Sequence, residues 1–291
     1  MRGSNPTNLV HKNCLKAVAG IVAISFTPFV AVTAMAQADI LEEITVTAQR
    51  REQSLRDVPI SVTAVQGEDA HAWFENGEDI RALANRVPSL YVESSNGRLA
   101  PRFYMRGLGN TDFDLAASQS VSVIVDEVVQ ENVILKSFPI FDIDRIEVLR
   151  GPQGTLFGRN TPAGIVKIET RRPSEDFNGY AYLTFGSFST INIEGALGGA
   201  LTQSGNLSAR LSVLSQNRDD WIDNGYTGED DAMGGFNEMA WRAQLLWEPT
   251  DSFSGLLNLH GRKLDNGTAS IFRANIVSTG NNALNGNFVR D

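Results

Sequence analysis

The second half of the chain alternates apolar and polar side chains with a period of two. From residue 179 onward the alternation recurs in five segments, each about ten residues long. Their apolar positions are Ala181, Leu183 and Phe185; Ile191, Ile193, Leu197 and Leu201; Leu207, Ala209, Leu211 and Val213; Met239, Trp241, Ala243, Leu245 and Trp247; and Phe253, Leu257 and Leu259. Because successive side chains of a strand point to opposite faces, each segment predicts a β-strand with one apolar face.

Two architectures produce such strands. Membrane β-strands turn their apolar side chains to lipid and their polar side chains to a lumen. A soluble β-sandwich alternates in the same way, but its apolar side chains point inward. Connections are short at 202–206 and 250–252 and long at 217–238 and after 263. This favours a membrane barrel, which has short turns at one end and long external loops at the other.

Residues 55–172 have a different pattern, which predicts a compact α+β unit. Residues 69–85 have helical spacing, with Ile80, Leu83 and Ala84 on one face. Short apolar runs predict strands at Val58–Val65, Ser89–Glu93, Arg102–Arg106, Val121–Val125 and Ile146–Leu149.

A glycine-rich loop follows the last of these strands. Glycines at such density are typical of a backbone that needs positive φ or approaches another backbone closely. The loop is not a phosphate-binding P-loop, because Arg159 and Asn160 follow Gly158 where Lys and Ser or Thr are required. No Gly-x-Gly-x-x-Gly motif occurs either.

Residues 145–160, Arg-Ile-Glu-Val-Leu-Arg-Gly-Pro-Gln-Gly-Thr-Leu-Phe-Gly-Arg-Asn, resemble the closing signature of the plug domain in TonB-dependent outer-membrane receptors. Arg106-Gly107 and the Val-x-Val-Asp element at 123–126 extend the resemblance. The positions carried over are Arg106, Gly107, Arg145, Glu147, Arg150, Gly151, Pro152, Gly154, Gly158, Asn160 and Gly164. The fold class that follows is an α+β plug domain at 55–172. The antiparallel transmembrane β-strands of an incomplete β-barrel of the 22-stranded type then occupy 173–291.

Two places depart from the family's pattern. Glu127 stands where Gly usually follows the Asp, so we expect a turn that is longer than the two-residue Asp-Gly hairpin, or of another type. Pro162-Ala163 stands where a Gly-Gly pair is common, which leaves the geometry of that loop open.

Residues 1–36 have the features of a secretory signal peptide. A positive n-region precedes an uncharged apolar segment at 17–34, and Ala34-Met35-Ala36 suits cleavage between Ala36 and Gln37. The alternative is a membrane anchor, because the uncharged span approaches transmembrane length. Gly20, Pro28 and the small residues at the cleavage site favour the signal peptide. Cleavage would remove three cations and the single cysteine, taking the net charge from −9 to −12.

Residues 37–54 contain a β-prone pentapeptide, Ile44-Thr45-Val46-Thr47-Ala48, followed by a charged run. It is too short to form a sheet alone, but it could add itself to the sheet edge of another protein. The pentapeptide resembles the TonB box of the same family. The resemblance implies binding to an energised inner-membrane protein of the TonB type.

Enzymatic chemistry has little support in the sequence. His71 and His260 lie in different segments, and there is no Gly-x-Ser-x-Gly nucleophile motif. Asp142, Asp144 and Glu147 could form an acid–base pair, but we expect them to belong to a turn and strand, with Arg145 and Arg150 available as ion partners. We expect no catalytic residue, no metal site and no cofactor. The acidic net charge, without a basic tract, also argues against nucleic acid as a partner.

The acidic loop at 218–231 is superficially similar to a calcium-binding loop. Aligning Gly225 with the invariant glycine of such loops places Ile222 where an oxygen ligand is required. We therefore expect a solvated external loop, with cation or ligand contact as the alternative.

The resemblance implies a receptor in the outer membrane of a Gram-negative bacterium. It would contact outer-membrane lipid, the TonB-type protein and an extracellular ligand such as a metal chelate. The implied activity is active uptake of a scarce, bulky nutrient: a ferric siderophore first, with cobalamin or a glycan as other candidates. Two alternatives remain. A signal-sensing receptor usually needs an extra domain before the box, and a secreted β-rich adhesin or enzyme would be a soluble extracellular product.

We expect the chain to be a fragment, because five strands cannot close a barrel that needs 22. An open sheet in lipid leaves backbone groups unsatisfied along both edges. The 291-residue chain expressed alone should therefore give no heat-modifiable band in outer-membrane fractions. The appearance of that band would contradict the expectation.

Overall fold

The computed structural model describes residues 45–47, 50–112, 114, 116–224 and 227–265. These residues belong to one compact unit, Glu43–Asp291. The predicted signal peptide, its cleavage site at Ala36 and Gln37, and the box positions Ile44 and Ala48 lie outside the described residues. Within the part of the chain that is described, no helix is long and apolar enough to cross a membrane.

The first part of the structure is an α+β domain, residues 53–170, preceded by a short docked strand. In chain order its strands are β1 (Thr45–Val46), β2 (Gln53–Ser54), β3 (Ser61–Gln66), β4 (Leu90–Glu93), β5 (Arg102–Met105), β6 (Val121–Val125), β7 (Val128–Gln130), β8 (Ile143–Arg150) and β9 (Gly164–Thr170). Its helices are α1 (Gly67–Phe74) and α2 (Gly154–Phe157), with 3-10 turns at Leu55–Asp57, Ile80–Asn85 and Leu135–Ser137.

A five-stranded sheet in the order β3-β8-β9-β6-β7 forms the centre of this domain. Its pairs are antiparallel except β6 with β9, which are parallel. β9 is paired with a strand on each side, and every residue of β9 is buried. One face of the sheet packs against α1 and Ile80–Asn85, while the other packs against Val46 and α2.

The predicted helix over 69–85 is wrong in its extent. The chain forms α1, turns at Gly77 with φ of 77°, and then forms the separate 3-10 helix Ile80–Asn85. The Asp79 side chain accepts a hydrogen bond from the amide of Arg81 at 2.9 Å and so caps the second helix. Ile80 and Leu83 are nevertheless both buried, as the spacing predicted.

The prediction that the turn at Asp126-Glu127 is longer than two residues, or of another type, is also wrong. Val125 pairs directly with Val128, so the loop has two residues, with φ of 46° and 68°. Positive φ at both positions is what the type I′ hairpin requires. The turn is held by contacts of both side chains, because Asp126 accepts a hydrogen bond from the Thr170 amide at 2.8 Å and Glu127 pairs with Lys167 at 2.6 Å.

The second part is an antiparallel meander, and it confirms the five predicted strands. In sheet order these are β10 (Asn178–Gly186), β11 (Thr190–Ala200), β12 (Leu207–Arg218), β15 (Phe236–Thr250) and β16 (Phe253–Asp265). A separate hairpin, β13 (Ile222–Asn224) with β14 (Glu229–Met233), lies in the long connection between β12 and β15.

The meander is polar toward the α+β domain and apolar on its outer face. On the outer face Leu197, Leu211 and Leu257 are 56%, 46% and 54% exposed. The buried polar residues of the inner face are Thr190, Asn192, Ser208, Arg210, Ser212, Gln216, Glu238, Arg242 and Gln244. A soluble sandwich would have the opposite polarity, so the outer face fits lipid rather than water.

This polarity predicts that a charge on the outer face is costly in proportion to its depth in the bilayer. In a closed barrel that contains the meander, Leu211→Arg, in the middle of β12, should destabilise the membrane-inserted protein by about 2–4 kcal/mol. Leu201→Arg, just after the end of β11, should lower the same stability by only about 0–1 kcal/mol. Denaturant titration in lipid vesicles measures both, and equal costs at the two positions would contradict a lipid-facing meander.

Candidate functional site

Buried charges join the α+β domain to the meander. The first cluster is centred on Asp142, at the start of β8. The side chain of Asp142 is fully buried. Its carboxylate accepts hydrogen bonds from Arg210 Nε at 2.7 Å, from Arg210 Nη2 at 2.6 Å and from the Ser212 hydroxyl. Burial raises the pKa of Asp142, but these hydrogen bonds outweigh burial and hold the pKa below its usual range. Arg242 adds hydrogen bonds to the carbonyls of Phe141 and Asp142.

The second cluster is centred on Glu238 of β15, which is 1% exposed. Arg98 of the α+β domain donates to its Oε2 at 2.7 Å, and Arg262 of β16 donates to its Oε1 at 2.7 Å. Arg98 also bonds to Gln216 and to the carbonyl of Gly77. The Glu238 carboxylate and the Arg98 guanidinium together therefore connect two loops of the domain to three strands of the meander.

The third cluster surrounds the Asp126-Glu127 turn. Asp126 accepts hydrogen bonds from the amide and hydroxyl of Thr170 and from the side-chain amide of Asn258 at 3.0 Å. Gln244 donates to the same hydroxyl at 3.0 Å. Through the three clusters the α+β domain supplies partners for charged and amide side chains on the inner face of the meander, which lowers the cost of burying them.

The predicted box is docked on the α+β domain over its described positions. Thr45 pairs with Ser54 and Val46 with Gln53, forming a two-residue antiparallel ladder. Val46 is completely buried, in a cluster with Leu149, Phe157 and other apolar side chains. Such a short ladder is weak alone, so the docking depends on the side chains beneath it.

Thr47 connects this segment to the two central strands of the sheet. Its amide donates to Glu147 Oε1 on β8 at 2.7 Å, and its hydroxyl accepts from Lys167 Nζ on β9 at 2.8 Å. Arg145 Nε also donates to Glu147 Oε1, at 3.0 Å. Two positions of the plug signature, Arg145 and Glu147, thus lie against the docked segment.

Lys167 supplies the positive charge at this contact. Its ammonium pairs with Glu127 and Glu169 at 2.6 Å each, and its side chain is fully buried. Burial lowers the pKa of Lys167, but the two carboxylates outweigh burial and hold it above its ordinary value. Burial raises the pKa of Glu169, and the nearby Lys167 offsets only part of that rise.

The other signature positions shape the backbone. Arg106 and Gly107 both have positive φ, at 52° and 80°, in a tight turn closed by two hydrogen bonds between Met105 and Leu108. Gly164 has no room for a side chain, since a Cβ there would collide with the Leu149 carbonyl and the Met105 sulfur.

Residues 150–160 form the loop that ends the signature. Gly151 donates its amide to the Ala163 carbonyl at 2.8 Å, Pro152 follows it, and α2 runs from Gly154 to the residue before Gly158. Asn160 has φ of 65° and donates to Glu131 at 2.8 Å.

Arg150 has a different role from the expected ion partner. Its guanidinium donates to the Pro88 carbonyl and to the hydroxyls of Ser61 and Thr63. Burial, together with the nearby charge of Arg106, lowers the pKa of Arg150. Arg145, by contrast, does pair with Asp144 at 2.8 Å and Glu147 at 3.0 Å.

The acidic candidates do not come together as a catalytic pair. Asp142 is paired with Arg210, while Glu147 is committed to Thr47 and Arg145. In the loop at 218–231, the part described includes the β13–β14 hairpin, with residues 225 and 226 outside the described residues. Across the described ranges, no group of three or more His, Cys, Asp or Glu side chains is placed to hold a metal ion.

Lys136 is a buried cation whose ammonium donates to the Val121 carbonyl at 3.1 Å. Its side chain lies in the 3-10 turn Leu135–Ser137 and is 3% exposed. Burial lowers the pKa of Lys136 from 10.5 to about 8, although Glu131 opposes the change.

This shift predicts how stability varies with pH. Between pH 8 and pH 10 the unfolded chain keeps the Lys136 proton that the folded chain has released, so stability rises with pH across that window. The rise attributable to Lys136 should be about 2 kcal/mol. Denaturant titration of the wild type and Lys136→Met at both pH values measures it, and parallel pH profiles would contradict the assignment.

Comparison with known proteins agrees with the geometry. Residues 54–165 match the family model described as TonB-dependent Receptor Plug Domain. The pesticin receptor of Yersinia pestis is 31% identical over 172 residues, which cover 58% of this chain and 24% of that receptor. The solved structure of the ferric yersiniabactin uptake receptor from Yersinia pestis is similar at a TM-score of 0.58 and 27% identity, covering 66% of this chain and 29% of that one. The pyoverdine outer membrane receptor of Pseudomonas aeruginosa PAO1 has a TM-score of 0.62 at 19% identity, covering 76% of this chain and 30% of that one, and shows likeness of fold alone.

The chain spans about a quarter of the length of the curated relatives it matches. Those relatives are named as receptors, not as enzymes. The match to the plug family model, the topology of the meander and the lipid-facing polarity of its outer face all assign the protein to the outer membrane. The α+β domain therefore belongs to the plug domains of TonB-dependent receptors, and the meander matches the antiparallel strands of the β-barrels of such receptors.

Proposed function

We propose that the chain is part of a receptor that takes up a ferric siderophore across the outer membrane. The observation that supports this most is the packing of the α+β domain against the polar inner face of the meander through three clusters of buried polar side chains. A solute can pass along that face only if the domain shifts or partly unfolds. Because the outer membrane has no ATP, we infer that a TonB-type inner-membrane protein supplies the work through a mechanical contact.

The names of two relatives support a siderophore as the substrate. A solved structure at 27% identity is described as a ferric yersiniabactin uptake receptor, and the relative at 31% identity is a pesticin receptor. We therefore rank a ferric siderophore ahead of cobalamin or a glycan.

The segment at Ile44–Ala48 is the proposed contact for the energising protein. Thr45 is exposed, and an extended segment can pair with the sheet edge of a partner. Thr47 bonds to Glu147 and Lys167, which are paired residues on the adjacent strands β8 and β9. Force applied to the segment therefore enters the middle of the plug sheet, where displacement of β8 and β9 would open the domain.

The proposal predicts that uptake depends on residues 44–48 while binding does not. Deleting them should abolish growth on a ferric siderophore as sole iron source, yet leave binding of the radiolabelled chelate to cells within about twofold, because the ligand is held outside. A panel that begins with ferric yersiniabactin, with cyanocobalamin as the contrasting solute, identifies the substrate class. Unchanged uptake in the deletion variant would contradict a role of the segment in uptake.

Cross-linking tests the partner directly. Cysteines placed one at a time from Ile44 to Thr47 should form adducts with the TonB-type protein, whereas Ser61→Cys, an exposed position on β3, should not. Absence of any adduct from the four positions would contradict the box assignment.

The docking contacts predict which variants release the segment. A cysteine at Val46 is buried against the plug, so Glu147→Gln should raise its labelling rate by about tenfold through loss of a hydrogen bond to a charged group. The matched control is Asp144→Asn, which removes the exposed carboxylate partner of the same Arg145. Equal labelling in the two variants would show that Glu147 does not hold the segment.

A further inference from the structure

A cavity of about 240 Å³ lies between α1 and the first two strands of the meander. Unlike the three buried clusters, this contact between plug and wall is open to solvent. The ionisable side chains that line it are Glu68 and His71 of α1, Asp142, Arg171, Tyr180 and Tyr182 of β10, and Glu194 of β11.

His71 spans this gap. Its ring lies 4.0 Å from the ring of Tyr182, centroid to centroid, with an interplanar angle of 33°. Its Nε2 is 3.6 Å from Glu194 Oε2, which is too long for a hydrogen bond of the neutral ring and short enough for an ion pair. A protonated imidazole would gain attraction both to the carboxylate and to the face of the Tyr182 ring.

Two hydrogen-bond donors orient the Glu194 carboxylate. Its Oε1 accepts a hydrogen bond from the Tyr180 hydroxyl at 2.6 Å and another from the Asp142 amide at 3.2 Å. These two donors leave Oε2 directed at His71, so the carboxylate is oriented by groups that do not titrate near neutral pH.

The surrounding charges do not replace this pair. Asp142 is neutralised by Arg210, which bonds to both of its oxygens, and Arg242 lies near the same carboxylate. The remaining charged groups at the cavity are Glu68 and Arg171, with Glu75 in the adjoining recess. Among the groups that face Glu194, His71 is the one of the residue type whose ordinary pKa lies closest to neutrality.

We propose that His71, Glu194 and Tyr182 form a proton-dependent clamp between the plug and the barrel wall. The clamp is weak while His71 is neutral and strengthens when the ring takes up a proton. Acidic surroundings therefore hold α1 against β10 and β11, and neutral or alkaline surroundings let that side of the plug separate more readily. This regulation goes beyond the proposed uptake, because it concerns plug mobility whatever the solute.

Hydrogen exchange by mass spectrometry on the receptor in detergent tests the clamp. After correction for the intrinsic pH dependence of exchange, amides of residues 67–76 should be roughly fivefold better protected at pH 5.5 than at pH 8.0. Amides of β9, buried in the centre of the sheet, should show no such difference.

Three variants decide the assignment. His71→Gln and Glu194→Gln should each abolish the pH difference in residues 67–76, the second without removing the ring. His260→Gln is the matched control, since His260 packs against Phe138 from β16, away from the cavity, and the difference should persist. A pH difference that survives in both His71→Gln and Glu194→Gln, or that is missing in the wild type, would overturn the clamp.

Discussion

The meander places charged and amide side chains on one face and aliphatic and aromatic side chains on the other. In water the apolar face would be unfavourable, and in lipid the polar face would be, so each face needs its own surroundings. The α+β domain supplies one of them. Asp142 pairs with Arg210, Arg98 pairs with Glu238, and Asp126 accepts a hydrogen bond from Asn258, so the domain supplies partners for these inward side chains. Removing one partner of such a pair leaves an uncompensated buried charge, which is far more costly than losing a surface ion pair.

That arrangement also explains how a domain so firmly bound could move. The buried clusters tie its loops to β12, β15 and β16, whereas the docked segment is held by a two-residue ladder, one buried valine and the contacts of Thr47. The contact at His71 is looser again, because it borders a cavity. The structure therefore combines a well-anchored side with weaker contacts, and local opening is expected to begin at the weaker ones.

The sequence predicted the strands of the meander well, because a period of two persists where one face is apolar. It also located the plug signature, in which Gly164 is required by the close approach of β8. The helix over 69–85 and the Asp126-Glu127 turn were mistaken. In the first, Gly77 interrupts a helical apolar pattern, and in the second, bonds from Thr170 and Lys167 support positive φ without glycine.

The contacts between plug and wall could not be predicted from spacing. Arg98 and Glu238 are 140 residues apart, and the sequence pattern around either residue does not indicate that it contacts the other. One signal was available: Arg210 and Arg242 fall on the polar face of strands predicted to face a lumen, and charges there need partners. The identity of those partners depends on how the domain packs, which alternation does not encode.

The outer face of the meander contacts lipid, while its inner face contacts the plug. Nitroxide scanning of residues 207–214 in β12 tests this arrangement most directly, by comparing collision rates with oxygen, which concentrates in lipid, and with a water-soluble nickel chelate. Oxygen accessibility should alternate with a period of two, high at 207, 209, 211 and 213 and low for both reagents at the positions between. Nickel accessibility equal to that of oxygen at Leu211 and Val213, or no alternation along the strand, would contradict it.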